Sequence, residues 1–381
     1  MKKYDFVIIG GGILGLSHAY HALKAGKSVI LLEKNDRALG ASIRNFGQIV
    51  PSGFGTEWQK YGLLSMEIYN DIQSKFNINI KREGSIYIAS NEDEDTLLNE
   101  LSVINASNGY SSRILDKKEC HRHYPGLRSG YCTSGLYFPE EIKADPATTV
   151  RLITEFLINY YGLQVRFNTF ISDIYANDNE AIAFDSFGQK YFGNHLLVCT
   201  GDDYQTLYPW LFKNENIRIV KLQMMELVPQ NISIRGSVLT GLTIRRYESF
   251  QECPSYWHIK SLEQKEDIIN SLGIHILFSQ NIDGSIILGD SHEYGLPNLP
   301  SAIMNHETNH YINGYILKLA SDIMDLDYTV QKSWIGIYSQ EETNGIYNCK
   351  IDQRIRIVTG IGGKGMTASF GWAALNFDEI Q

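Results

Sequence analysis

What this chain has little of narrows its class before any motif is read. Basic residues are outnumbered, 34 Lys and Arg against 43 Asp and Glu, for a formal net charge of −9. That balance argues against a general binder of phosphate backbones, so nucleic acid is not an expected partner, although a local basic pocket for one small anion remains compatible with it. Cysteine is sparse. The five, Cys120, Cys132, Cys199, Cys253 and Cys349, are scattered and include no C-x-x-C pair, which excludes a disulfide or zinc framework and points to reduced thiols in a cytoplasmic protein with no metal site. No apolar run reaches 18 residues, so no integral membrane segment is expected. The opening "MKKYDFVIIGGG" enters a strand and a glycine turn at once, and no secretory leader is expected. Internal repeats and low-complexity tracts are also missing.

What is present is enough for a large core. With 381 residues and 43% hydrophobic composition, the length suggests two domains. The first informative unit is "YDFVIIGGGILGLSHAYHALKAGKSVILLEK". Residues 6–9 form a short apolar run suited to a strand buried on both faces. Gly10, Gly12 and Gly15 then supply G-x-G-x-x-G, and residues 16–25 have helical spacing. A second apolar run, 28–32, ends in Glu33, followed by Lys34. Strand, tight turn, helix, strand and acid occur in the order of a dinucleotide-binding unit. The pyrophosphate would lie on the helix amino terminus, where Ile13 and Leu14 begin the first turn, and the Glu33 carboxylate would accept the adenosine ribose hydroxyls. A lone glycine triplet can be an ordinary turn; the ordered context is what favours binding. Glu33 would repel a 2′-phosphate, which disfavours NADP.

A nicotinamide domain would continue with alternating strands and helices for about a hundred residues. This chain does not. A helical segment at 57–76 and the strand-like "EGSIYIAS" intervene, and glycine-flanked strands return only at "HLLVCTGDD" and "IRIVTGIGGKGMTASFGWAAL". The dinucleotide domain is therefore expected to be discontinuous, and the cofactor to be a flavin.

The glycine turn, the stretch "GASIRNFGQIVPSG", the returning "VCTGDD" and the late "GIGGKGMT" together resemble the FAD-dependent amine oxidoreductases of the D-amino-acid oxidase, glycine oxidase and sarcosine oxidase family, over essentially the whole chain. "RNFGQIVPSG", "GDSHEYG" and "GGKGMT" more narrowly resemble a bacterial subgroup thought to act on aminophosphonates. The resemblance implies an α/β, two-domain (α+β) fold: a discontinuous Rossmann-like FAD domain of the glutathione-reductase type (1–80, 144–216 and 316–381) and a mixed-sheet substrate domain (81–143 and 217–315). It implies that Gly40, Ala41 and Ser42 approach the pyrophosphate and ribityl chain, and that Asn45, Phe46 and Gly47 pass along the isoalloxazine. Ile171 would pack on adenine, and Thr200 and Gly201 would end the returning strand beside the cofactor. Gly362, Gly363, Lys364, Gly365, Met366 and Thr367 would present amides, a helix amino terminus and a lysine charge to the flavin N1–C2=O edge. Sarcosine oxidases attach FAD through a cysteine in the segment matching Trp334-Ile335-Gly336-Ile337-Tyr338. Glycine stands there, at Gly336, so the FAD is expected to be noncovalent.

The substrate reading turns on two departures from the family. Tyr338 replaces the arginine, and Thr367 the lysine, with which relatives hold an α-carboxylate. An unpaired carboxylate in a dry pocket costs several kcal/mol, which disfavours an ordinary amino acid. Candidate substrate-facing residues are Arg44, Gln48, Tyr338, Lys364 and His292, with Arg246 as a further cation. Arg44 is the first choice to grip a phosphonate bidentately. The expected reaction is oxidation of a small primary or secondary amine, with O2 or another electron acceptor reoxidising the flavin and no obligatory side-chain base. Alternatives are oxidation of glycine, sarcosine or a D-amino acid, a tRNA-modifying flavoprotein, and a flavin-bearing electron-transfer subunit.

Overall fold

The computed structural model describes residues 2–263, 268–296 and 306–379. Its first strand, Lys3–Ile9, divides its side chains between two apolar clusters, with Phe6 and Ile8 in one and Val7 and Ile9 in the other. This is the period-2 division of a strand covered on both faces. It pairs in parallel with Val29–Leu32 on one side and Lys190–Val198 on the other. Those strands pair in parallel with Gln164–Arg166 and Ile355–Thr359 respectively. Antiparallel strands Ile171–Ala176, Ala181–Asp185 and Tyr347–Lys350 complete an eight-stranded sheet. The sheet thus gathers chain segments more than three hundred residues apart, which bears out a fold of two interleaved α/β parts with mixed sheets.

Helices Ile13–Lys24, Thr56–Lys75, Pro146–Tyr161 and Gly365–Asn376 share one core through Leu16, Tyr20, Tyr69, Phe156 and Phe370. Two of their ends follow sequence rules. Asp145 caps Pro146–Tyr161 by accepting the Thr148 N–H at 3.2 Å, and Gly162 ends that helix at φ 72°, as a left-handed C-terminal residue should. Gly371 lets Gly365–Asn376 touch Thr56–Lys75, because a Cβ there would lie 2.0 Å from the Tyr61 carbonyl oxygen.

The second sheet has nine strands, with Ile217–Leu227 inside it. The strand signals "SIYIAS", "QMMELV", "HILFSQ" and "GSIILGD" all fall here, as Ser85–Ala89, Ile217–Leu227, Leu277–Gln280 and Ile286–Gly289. One expectation needs correction. Residues 316–341 were placed with the cofactor part, but Val330–Glu341 pairs antiparallel along the whole of Ile217–Leu227. Helix His310–Ile323 likewise packs Ile312, Ile316 and Ala320 into the core of this second sheet. An apolar strand pattern shows that a strand exists; only the pairing shows which sheet takes it. A three-stranded sheet of Gln48–Ile49, Ile142–Ala144 and Ile80–Lys81 lies between the larger ones in sequence. Among the described residues no helix is long and apolar enough to cross a membrane.

Candidate active site

One cavity of about 760 Å³ is lined by residues of both large sheets. All the residues singled out from sequence line it except Gly15 and Gly47. At its first wall, Gly10 ends the first strand at φ +106°, and a Cβ there would lie 2.3 Å from the Cys199 carbonyl oxygen. Gly15 stands behind this wall. Its Cβ would lie 2.0 Å from the Gly10 carbonyl oxygen, so only glycine lets the helix Ile13–Lys24 start this close to the strand. The Ile13 amide donates to Ser42 Oγ at 3.0 Å, so a helix amino terminus faces the cavity with Gly12 and Leu14 beside it. Glu33, 7% exposed, accepts the Gly11 N–H at 2.8 Å and the Asn35 backbone and side-chain N–H groups at 3.0 and 3.1 Å. The acid therefore shapes the turn as well as lining the cavity. Lys34, Ile171, Thr200 and Gly201 continue this end; Lys34 lies 3.9 Å from Asp203.

The stretch from Gly40 to Gly53 crosses the cavity as a 3-10 turn, Ala41–Ile43, a loop, the short strand Gln48–Ile49 and a second 3-10 turn, Pro51–Gly53. Asn45 staples it. Its Nδ2 donates to the Ala41 and Ser42 carbonyls at 3.1 and 3.0 Å, and its Oδ1 accepts the Gly47 N–H at 2.8 Å. Gly47 differs from expectation. It lies off the cavity at φ +70°, where a Cβ would be 2.0 Å from the Ala144 carbonyl oxygen, so its smallness serves backbone packing. Phe46 reaches the second sheet, joining the apolar cluster that contains Leu222 and Met224. Beyond Gly40 and Gly363 a Cβ would meet nothing within 4 Å, so ligand atoms have room there. Among the described residues Gln48 Nε2 is a buried donor with no partner.

Arg44 also departs from its expected role. Its Nε donates to the Leu39 carbonyl at 2.9 Å and its Nη1 to the Ile335 carbonyl at 3.3 Å, so two arms of the fork are tied to main chain. Gly336 lies opposite, where a Cβ would approach Leu222 Cδ1 to 2.9 Å and the Arg44 carbonyl oxygen to 3.2 Å. Gly362, Gly363, Lys364, Gly365, Met366 and Thr367 turn from strand Ile355–Thr359 into helix Gly365–Asn376 at the cavity edge. Lys364 is not a free charge: Nζ lies 2.8 Å from Glu248 Oε1 and 5.2 Å from the centre of the Trp58 ring. The Thr367 hydroxyl accepts the Val50 N–H at 3.1 Å and donates to the Gln48 carbonyl at 3.3 Å, a clip between backbone segments.

The opposite wall is polar and was only partly foreseen. His275, Asp290 and His292 are buried together, with Arg246, Tyr247, Tyr294 and Tyr338 beside them on the cavity. His275 and Asp290 exchange backbone hydrogen bonds, His275 N–H to Asp290 O at 3.0 Å and Asp290 N–H to His275 O at 2.7 Å. Their side chains are in close contact, and His292 Nδ1 lies 3.8 Å from Asp290 Oδ1. His292 Nδ1 also donates to the Gly273 carbonyl at 3.3 Å. Burial pushes His292 down to about 3, against the opposing pull of the Asp290 charge. Burial would raise the Asp290 carboxyl, but His275, His292 and the nearby Arg246 charge together outweigh it and hold the group below the usual carboxylate range. Burial, followed by the Asp290 charge, lifts the Tyr338 hydroxyl well above the ordinary tyrosine range. Arg246 donates from Nη1 to the Gly273 carbonyl at 3.2 Å and from Nη2 to the Tyr294 hydroxyl at 2.7 Å. Of this wall the sequence singled out His292, Tyr338 and Arg246. His275 and Asp290 sit in strand-like runs, and their meeting depends on pairing.

A glycine-walled slot at a helix amino terminus, with a ribose-type acid at one end, fits an extended dinucleotide. The model of the family described as FAD dependent oxidoreductase matches residues 5–376. The chain belongs to that family. It is an FAD-dependent oxidoreductase, and Gly12, Ser42, Glu33 and the open space at Gly40 and Gly363 suit the cofactor's phosphates, ribose and ring system. Among curated relatives it is 24% identical over 304 residues to a D-amino acid dehydrogenase of Helicobacter pylori, covering 65% of this chain and 72% of that one. It is 30% identical over 159 residues to mitochondrial dimethylglycine dehydrogenase of Rattus norvegicus, covering 40% of this chain and 18% of that one. Among solved structures, glycine oxidase from Bacillus cereus superposes with a TM-score of 0.78 at 16% identity, over 99% of this chain and 95% of that one. The FAD-bound L-alpha-glycerophosphate oxidase of Mycoplasma pneumoniae gives a TM-score of 0.78 at 16% identity, over 100% and 96%. At these identities the structures speak for the fold.

Proposed function

We propose that the protein oxidises a small primary or secondary amine that carries a phosphonate, of the 2-aminoethylphosphonate kind, with FAD bound noncovalently. FAD supplies a hydride acceptor. The protein's part is to hold the neutral amine in line, exclude water and stabilise the anionic end; the imine then hydrolyses to an aldehyde and an amine or ammonia. The observation that carries the reading is the anion-holding equipment of the cavity. Tyr338 and Thr367 stand where relatives keep a carboxylate-gripping arginine and lysine, and Thr367 is used up on Val50 and Gln48. Lys364 is neutralised by Glu248. Arg44 is tied to fixed carbonyls.

Arg246 therefore takes over as the anion-gripping residue. One of its arms rests on the hydroxyl of Tyr294, a side chain 41% exposed, which a phosphonate oxygen can replace. Gly336 at the position of the covalent cysteine supports the noncovalent cofactor. A second reading, oxidation of glycine, sarcosine or a D-amino acid, draws on the similarity to a D-amino acid dehydrogenase.

Anaerobic mixing of the yellow enzyme with single amines separates the two. N-methyl-2-aminoethylphosphonate and 2-aminoethylphosphonate should bleach the flavin. Arg246→Ala should lower kcat/KM for them about ten- to a hundredfold or more, the equivalent of one charge-assisted contact of about 1.5–3 kcal/mol, with FAD content unchanged. Faster bleaching by glycine, sarcosine or D-alanine would return the enzyme to the amino-acid reading.

A further inference from the structure

We propose that His275, Asp290 and His292 form a binding site for one divalent transition-metal ion in the cavity wall. The three residues each offer a ligand atom, and these atoms lie within 4.8 Å of one another. Two imidazoles and one carboxylate are a donor set suited to borderline ions such as Zn²⁺ or Co²⁺. An ion with bonds of about 2.0–2.2 Å needs its ligands roughly 3–4 Å apart, within the 4.8 Å that spans the three ligand atoms here.

Three observations support an ion over plain packing. Asp290 is 4% exposed, and among the described residues its only ion-pair partners are the two histidines, with the Arg246 charge acting on it from beyond ion-pair distance. Asp290 Oδ1 and His275 Nε2 are in direct contact, so two potential ligand atoms converge, and among the described residues His275 Nδ1 is buried with no hydrogen-bond partner. Donation from His292 Nδ1 to the Gly273 carbonyl fixes that ring and would leave Nε2 as its ligand atom, as carbonyl contacts behind ligating histidines do.

Three protein ligands on a cavity wall leave at least one coordination position open, the arrangement of a site that receives a further ligand. Arg246 in the same wall opposes a bare cation and favours one that carries an anionic oxygen. Occupation of the open position by the substrate's phosphonate rests on the function proposed above; metal binding does not.

The test uses the full FAD-loaded chain, with any affinity tag removed and metals stripped by chelator. Titration with ZnCl2 or CoCl2, followed by calorimetry and by metal analysis after equilibrium dialysis, should give one ion per chain at micromolar affinity or tighter. Asp290→Asn and His292→Gln should each weaken binding at least tenfold while FAD content stays. If Asp290→Asn does not fold, His292→Gln carries the comparison alone. Failure to bind either ion at micromolar concentration, or affinity unmoved in the folded variants, would overturn the site and leave a self-contained histidine–aspartate cluster. Zinc binding without turnover of aminophosphonates would uphold the site and refute only the substrate reading.

Discussion

Replacing Glu33 by alanine should damage two things at once, and they can be measured separately. The carboxylate accepts the Gly11 N–H at 2.8 Å in a buried setting, and it also accepts two N–H groups of Asn35. Without it the Asn35 donors can turn to water, but the Gly11 amide is left buried without an acceptor. A lost bond to a charged acceptor and an unsatisfied buried donor together are worth about 2–3 kcal/mol. The FAD-free protein should therefore unfold at lower urea by that amount, about 1–1.5 M for an m-value near 2 kcal/mol/M. Loss of the acceptor for the ribose hydroxyls should separately raise the FAD dissociation constant about ten- to a hundredfold, for a contact of roughly 1.5–3 kcal/mol. Urea unfolding of the apoprotein reads the first effect, and fluorescence titration with FAD the second. Glu33→Gln keeps the shape and one acceptor, and should fall between. An apoprotein midpoint that does not move would refute the account of the turn, and an unchanged dissociation constant would refute the contact to ribose.

Gly15→Ala should destabilise even the FAD-free protein by about 3 kcal/mol, because a Cβ placed 2.0 Å from a carbonyl oxygen forces the helix off its strand; an unshifted melting temperature would show that the contact relaxes freely. Burial holds His18 and His21 down to about 4, against an ordinary value of 6.5, so the unfolded chain takes up protons near 6.5 that the folded chain resists until about 4. Stability should thus be complete above pH 6.5 and fall as pH drops toward 4, by up to roughly 3 kcal/mol per histidine. His18→Gln should flatten that fall in urea midpoints taken from pH 7.5 to 4.5, and an unaltered slope would place the titration elsewhere.

The cofactor side was legible because its constraints are local. Gly15 and Glu33 answer to neighbours within one turn-and-strand unit, and glycine at a close backbone approach, as at Gly10 against Cys199, leaves a mark in the sequence. The read-out was incomplete even there. Glu33 looked like a ligand to ribose alone, and its hold on Gly11 emerged only with coordinates. Gly47 looked like a residue on the ring's path and instead packs on Ala144. The polar wall was not legible for a different reason. His275 and Asp290 lie just outside the paired strands Leu277–Gln280 and Ile286–Gly289, and nothing in the spacing of a histidine between isoleucines says what it will face. The same ignorance of pairing put residues 316–341 with the wrong sheet.

Arg44 shows why a charge in the right loop is weak evidence for a ligand contact. Its guanidinium bonds Leu39, in the loop that follows Glu33, and Ile335, in the long edge strand of the second sheet. It is therefore a tie across the cavity, and the Arg44 carbonyl oxygen lies 3.5 Å from Trp334 Nε1 on the same strand. Removing the side chain would loosen the spacing between the two walls whether or not it ever meets an anion. Loss of activity in Arg44→Ala would follow from either role, since a reacting pair displaced by about 1 Å can lose a hundredfold in rate. The two roles part on a substrate without an anionic group. A tie should matter for every amine alike, whereas a phosphonate clamp should matter only for the phosphonates. Arg246 should show the second pattern, and the contrast between the two arginines on charged and uncharged amines assigns each its place.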